Sequence, residues 1–209
     1  RQMCIRDRHG VESTLGADAP SASDLRHDYG LGNGPMIVYP AITHPHKNHR
    51  FLLEVMARRW TDPDLRLVLL GGRGAAEAEV ATDIVRLGLE DRVIRPGRVP
   101  DAHRDALIAA ADALVFPSQY EGFGAPAVEA MALGTPVICS DQRALAEVVG
   151  DAGLVLPLDV DVWADALDTV AARADEMCSA GRTRARAFSI ERSGAELAAA
   201  YDLTVRIGR

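Results

Sequence analysis

Lysine is nearly absent from this chain. Lys47 is the only one among 23 lysines and arginines, so it stands apart from an otherwise arginine-only set of cations. That bias, with the abundance of alanine, points to a GC-rich bacterial genome. Cysteine is scarce as well. Cys4, Cys139 and Cys178 are widely spaced and form no C-x-x-C pair, which argues against a disulfide framework or a zinc site; they read as reduced thiols. No apolar run approaches the roughly 18–20 residues of a membrane span. No charged-then-apolar leader opens the chain, and the expected compartment is the cytoplasm. Cations do not outnumber anions: 23 against 30 leaves a formal charge of -7. A general grip on nucleic acid needs clustered cations and is excluded. What remains is ordinary globular material. With 48% hydrophobic and 25% charged residues over 209 positions, the chain can bury one substantial core and has no room for a second full domain.

Residues 1–8 read as foreign. Met3 to Arg8, M-C-I-R-D-R, back-translates to a transposon-end adapter used in sequencing libraries, an expectation that any other codons in the raw nucleotides would refute. Residues 9–34 are polar and read as a remnant of an interdomain linker, with one short helix near Ser23–Tyr29 capped by Ser23. From residue 35 onward short apolar runs alternate with helical stretches. Strands are expected at Met36–Tyr39, Leu65–Leu70, Arg92–Arg95, Ala113–Phe116, Pro136–Cys139 and Leu154–Leu156, bounded by Gly, Pro or Asp as buried parallel strands tend to be. Helices are expected at His49–Arg59, Ala75–Leu87, Ala102–Ala110, Ala125–Leu133, Leu145–Val149 and Val162–Ala174. This alternation specifies an α/β fold with a doubly wound, Rossmann-like parallel sheet over residues 35–180. Ligands of such sheets bind beyond the carboxyl ends of the strands. Residues 181–209 read as a C-terminal helical segment, with a polar helix at Ile190–Val205.

The loop after the fourth strand concentrates the chemistry. It runs Ser118-Gln119-Tyr120-Glu121-Gly122-Phe123-Gly124-Ala125-Pro126-Ala127-Val128-Glu129. Gly122 and Gly124 let backbone N–H groups approach a ligand, and the helix that follows presents its positive end, where phosphate binds readily. Glu121 and Glu129, with seven residues between them, place one acceptor in the loop and one further down the helix. Two acceptors so spaced can hold separate hydroxyl clusters of one elongated ligand. In this E-x7-E pattern, with G-F-G inside it, the chain resembles the family 4 glycosyltransferases. The resemblance covers Met36 to Val170 and is strongest over Ser118–Asp141. It implies the C-terminal, donor-binding domain of a retaining, mannosyltransferase-like hexosyltransferase of the GT-B type. By the same resemblance Glu121 contacts hydroxyls of the transferred hexose and Glu129 binds the nucleotide ribose. The backbone of Gly122, Phe123 and Gly124 then faces the sugar and diphosphate.

After the first strand comes His44-Pro45-His46-Lys47-Asn48-His49. Lys47 is expected to open the helix, where an ammonium and the helix N-terminus attract the same phosphate. The resemblance agrees: a lysine here neutralises the donor diphosphate, and H-K-N-H is familiar among mannosyltransferase-like members. One departure stands out, because the family's usual Gly-Arg ahead of this loop is Ala41-Ile42 here. Arg73 and Arg98 are substitutes between which the sequence does not choose. After the third strand, Arg95-Pro96-Gly97-Arg98-Val99-Pro100 is implied to run along the nucleobase, whose edge is read by backbone near Val99.

The implied chemistry is departure of a nucleoside diphosphate as the anomeric carbon gains oxocarbenium character, stabilised by Lys47 and the Gly122–Gly124 backbone. Attack comes from the same face, without metal or resident cofactor. GDP-mannose is the first donor to consider, and a saccharide or lipid-linked acceptor in cell-surface polysaccharide synthesis is the second substrate. The missing N-terminal domain would hold that acceptor and any peripheral contact with the inner membrane. The fragment alone is expected to bind donor weakly and to catalyse little.

Other motifs have plainer readings. His46 and His49 suggest zinc, but Pro45 and the lack of a carboxylate triad argue against it; they read as loop capping and polarity toward the substrate. Asp159-Val160-Asp161 looks like the D-x-D of metal-dependent glycosyltransferases, yet it precedes a helix and reads as an N-cap. Gly71-Gly72-Arg73-Gly74 is a glycine turn that either joins strand to helix or lines the donor. Cys139 reads as a small buried residue, and Asp141 as a cap or turn residue. Two rival functions share this sheet: a nucleotide-sugar-binding module without transfer activity, and a sugar-nucleotide 2-epimerase-like enzyme, which lacks the E-G-F-G-x-P-x-x-E arrangement. A NAD-binding domain is disfavoured, since no G-x-G-x-x-G follows the first strand.

Overall fold

The structure, a computed structural model, describes residues 15–190, 192–195 and 198. Cys4, residues 1–8 and most of the expected helix at Ile190–Val205 lie outside the described residues. The strands are β1 (Met36–Pro40), β2 (Arg66–Leu70), β3 (Val93–Gly97), β4 (Ala113–Phe116), β5 (Val137–Ser140) and β6 (Leu154–Leu156). All neighbouring pairs are parallel, in the order β3-β2-β1-β4-β5-β6. β4 and β5 are buried at every residue, because helices cover both faces of such a sheet and leave no polar side for alternation. Chain order reverses between β1 and β4. Such a switch point, at the carboxyl ends of the strands, is where doubly wound sheets bind their ligands.

The helices are α1 (Ala22–Asp28), α2 (His49–Arg58), α3 (Glu77–Arg86), α4 (Asp101–Ala109), α5 (Ala125–Leu133), α6 (Arg143–Val149) and α7 (Ala166–Ala185). Those from α2 to α6 fall within two residues of the expected spans. α7 does not, starting later and running further than Val162–Ala174. The start is delayed because Asp159 caps a turn: its carboxylate accepts from the N–H groups of Asp161 and Val162 at 2.8 and 3.3 Å. Asp161 pairs with Arg59. The helix departs from helical backbone angles at Arg173 and then continues, burying Met177, Gly181 and Ala185. Gly181 permits this, since a Cβ there would sit 3.3 Å from Met131 of α5.

Two further differences concern the front of the chain. α1 is capped by Ser21, whose hydroxyl accepts from the Asp24 N–H at 3.1 Å, and not by Ser23. The stretch expected as a linker remnant sends Leu25 and Leu31 into the core, and α1 packs on α4. Among the described residues no helix is long and apolar enough to cross a membrane.

Candidate functional site

The loop after β1 is built around a short 3-10 turn, Pro45–Lys47, in which the Lys47 N–H donates to the His44 carbonyl at 3.0 Å. Asn48 then adopts a left-handed conformation (φ 57°) and α2 begins at His49. Lys47 therefore closes a turn two residues ahead of the helix and does not open it. Its backbone is held from below. Tyr39, fully buried on β1, donates its hydroxyl to the Lys47 carbonyl at 2.7 Å and shares a 3.1 Å hydrogen bond with the Ser118 hydroxyl. Ser140 of β5 donates to the Ser118 carbonyl at 2.5 Å, and the Gln119 N–H donates to the His46 carbonyl at 2.8 Å. These bonds tie the carboxyl ends of β1, β4 and β5 into one platform.

On that platform Lys47 meets Glu121. The ammonium lies 2.5 Å from Glu121 Oε1, the two side chains only 19% and 10% exposed, and 5.5 Å above the ring centre of Phe116. Gln142 supports the acid: its Nε2 donates to the Glu121 carbonyl at 3.5 Å while its Oε1 caps α6 through the Ala144 and Leu145 N–H groups. The cap expected at Asp141 is thus Gln142. Gly124, at φ 94°, forms the left-handed entry to α5, and a Cβ there would lie 2.5 Å from the Leu145 side chain. Gly122 faces open space. Phe123 packs edge-on against Phe188. Further along α5, Glu129 acts on Arg104 of α4, which despite its burial is held above its ordinary value by Asp105, Glu129 and Asp101. Val99 is half-buried just ahead of α4.

A second feature lies beside this pair, at the carboxyl ends of β1, β2 and β3. A cavity of about 300 Å³ is lined by Thr43, Gly71, Gly72, Arg73, Glu77 and Arg95, among others. Glu77 is its centre, accepting from the Thr43 hydroxyl at 2.9 Å and from the Arg95 guanidinium. Burial pushes the Glu77 carboxyl up, but the hydrogen bonds from Thr43 and Arg95 outweigh it and hold the group below its ordinary value. Arg73 is exposed and 3.8 Å from Glu77. Arg98 is exposed and makes no hydrogen bond or ion pair among the described residues.

His49 is placed differently from its expected polar, substrate-facing position. It is 2% exposed, its ring lies against Tyr39 with centroids 4.8 Å apart, and neither ring nitrogen has a hydrogen-bond partner. Burial pushes its pKa down to about 4, with the nearby Ala41 backbone and then Glu77 acting upward and Arg95 and Lys47 downward. His46 stacks on His44. Among the described residues no group of three or more His, Cys, Asp or Glu side chains converges as a metal site requires. Tyr39 and Glu77 stand in no quoted motif, and Ser118, Ser140 and Arg95 fall inside quoted stretches without a role of their own; only the meeting of separate strand ends brings the five to the site.

Known proteins carry this architecture. The family model described as glycosyl transferases group 1 matches residues 23–187. The O-antigen chain mannosyltransferase B of Escherichia coli is 45% identical over 128 residues, 59% of this chain and 33% of that protein. The MMP alpha-(1->4)-mannosyltransferase of Mycolicibacterium hassiacum is 36% identical over 172 residues, 77% of this chain and 41% of that protein. The sucrose-phosphate synthase structure from Thermosynechococcus elongatus superposes with a TM-score of 0.80 at 27% identity, covering 95% of this chain and 52% of that one. The chain thus spans between a third and a half of the length of these curated relatives. With a doubly wound sheet like that of GT-B glycosyltransferases and a family match over most of its length, this chain belongs to the group 1 glycosyl transferases.

Proposed function

We propose that the switch point where the β1 and β4 loops meet binds a nucleotide-sugar donor and serves a retaining transfer of a hexose, mannose before others, to a saccharide or lipid-linked acceptor. The observation that carries this reading is the Lys47–Glu121 pair at the switch point, beside the open Gly122 backbone. A nucleoside diphosphate leaves with negative charge, and a preorganised cation with backbone donors lowers that barrier most where water is excluded. Lys47 is assigned the diphosphate and Glu121 the hexose hydroxyls. Glu129 is assigned the ribose, and the backbone near Val99 the base. Glu121 orients the sugar and is not assigned as a nucleophile, and the chemistry needs neither a metal nor a resident cofactor. GDP-mannose is the proposed donor, in keeping with the mannosyltransferases among the relatives. The acceptor is assigned to sequence beyond this donor-binding unit, of the kind that fills the remaining length of those relatives.

Calorimetric titration of the chain with GDP, UDP, ADP and GDP-mannose tests the reading. Saturable binding of one nucleotide, weakened by both Lys47→Ala and Glu129→Ala, is expected. Binding that neither substitution changes refutes the assignment.

A further inference from the structure

We infer that Arg95 is a second cation for the donor diphosphate, gripping it from the end of β3 while Lys47 grips it from the loop after β1. The inference rests on the donor reading above and concerns a residue that the sequence placed only in the stretch along the nucleobase.

Four observations carry it. First, the cavity at the ends of β1–β3 holds two arginines, Arg73 and Arg95, against one carboxylate, Glu77. In a chain of formal charge -7 this local positive excess favours an anion. Second, Arg95 is fixed. Glu77, itself anchored by the Thr43 hydroxyl, accepts from one terminal nitrogen of the guanidinium, and a guanidinium has five N–H donors, so donors remain for a phosphate oxygen. Arg73 is 89% exposed against 30% for Arg95, and Arg98 has no holder, so neither is preorganised in this way. Third, the cavity walls are glycine backbone at Gly71, Gly72 and Gly97. Gly71 is forced by the fold, since a Cβ there would sit 2.3 Å from the Ala41 carbonyl. Close approach of the β1 and β2 loops keeps the cavity next to the Lys47 turn.

The fourth observation links the two cations. Thr43, which anchors Glu77 beside Arg95, stands on the same loop after β1 as Lys47, and Lys47 and Arg95 both act on the same buried ring, His49. The two charges therefore belong to one neighbourhood at the end of β1. Burial keeps that ring neutral at physiological pH, so it adds no third positive charge there. Two cations near a neutral ring, at the carboxyl edge of the sheet, suit a doubly charged, extended group such as a diphosphate. A single-charge anion would use only one of them.

The experiment uses the 209-residue chain as wild type, Arg95→Ala, Arg95→Lys and Lys47→Ala, each first checked by thermal melting. The probes are the nucleoside diphosphate that binds the wild type and inorganic pyrophosphate as its competitor. Arg95→Ala is expected to weaken both probes about tenfold, with Arg95→Lys recovering most of the loss. Weakening of the nucleotide with pyrophosphate unchanged places Arg95 on the base and overturns the inference. So does unchanged binding of both probes in Arg95→Ala while Lys47→Ala weakens both. If the wild type binds none of the nucleotides, the donor reading itself fails. If Arg95→Ala melts early, Arg95→Lys decides: it keeps the charge beside Glu77, and near-wild-type pyrophosphate binding supports the assignment while a tenfold loss overturns it.

Discussion

Removing the charge of Glu121 should make the site bind a bare nucleoside diphosphate more tightly. Lys47 is engaged 2.5 Å from a carboxylate in a setting where the two side chains are 19% and 10% exposed. A hydrogen bond between charged groups in such surroundings contributes about 1.5–3 kcal/mol. An arriving phosphate must take Lys47 from Glu121 and also sit near that carboxylate's negative charge. Glu121→Gln keeps the size and one acceptor oxygen and removes the charge, so part of that energy, about 1 kcal/mol, returns to the phosphate. This corresponds to roughly fivefold tighter binding. A nucleotide sugar behaves differently, because Glu121 is assigned to its hexose hydroxyls, and a carboxylate accepts such bonds more strongly than an amide. The assay is paired calorimetric titration of wild type and Glu121→Gln with nucleoside diphosphate and with the matching nucleotide sugar. The expected result is a tighter diphosphate and a smaller preference for the sugar-bearing ligand. A diphosphate that binds Glu121→Gln no better than wild type refutes the competition between carboxylate and phosphate for Lys47.

Three further outcomes follow from the same geometry. Tyr39→Phe removes the hydroxyl that holds the Lys47 carbonyl and pairs with Ser118; stability should fall by about 1–2 kcal/mol, and diphosphate affinity should fall with it in titrations run well below the melting temperature, whereas a purely structural role would leave affinity untouched. Gly124→Ala places a Cβ in the left-handed region and against Leu145, and thermal denaturation should show a loss of about 1–2 kcal/mol or more; an unchanged melting temperature contradicts the αL assignment. His49 has a folded value of about 4 against 6.5 unfolded, so between those values the unfolded chain binds the extra proton. Stability is then fully present above pH 6.5 and falls as pH drops toward 4, by an upper bound of roughly 3 kcal/mol. Urea midpoints compared at pH 7.5 and 5 should lose much of their difference in His49→Phe, and an identical pH dependence in that variant excludes His49 as its source.

The sequence by itself determined the alternation of elements, and with it the fold class. α5 and the strands at Ala113–Phe116 and Leu154–Leu156 were legible to the residue, because these strands are short apolar runs and glycine marks both ends of α5. The motif after β4 was legible for the same reason: its glycines and carboxylates are local, and their spacing survives in one dimension. Other features were not legible. The length of α7 depends on Gly181 meeting Met131 across a helix pair, and the Ser21 cap depends on a choice between two serines with equal local claims. The burial of Leu25 and Leu31 in a polar stretch depends on α4 being there to receive them. The site divides along the same line. Lys47 and Glu121 are 74 positions apart, and only the switch in strand order between β1 and β4 brings their loops together. Tyr39, Ser118 and Ser140 join as a platform, and Arg95 is held by Glu77, because separate strands end at one edge of the sheet. A hydrogen bond between residues distant in sequence leaves no pattern along the chain, since each partner alone is chemically ordinary and acquires its role only through the distance that folding imposes.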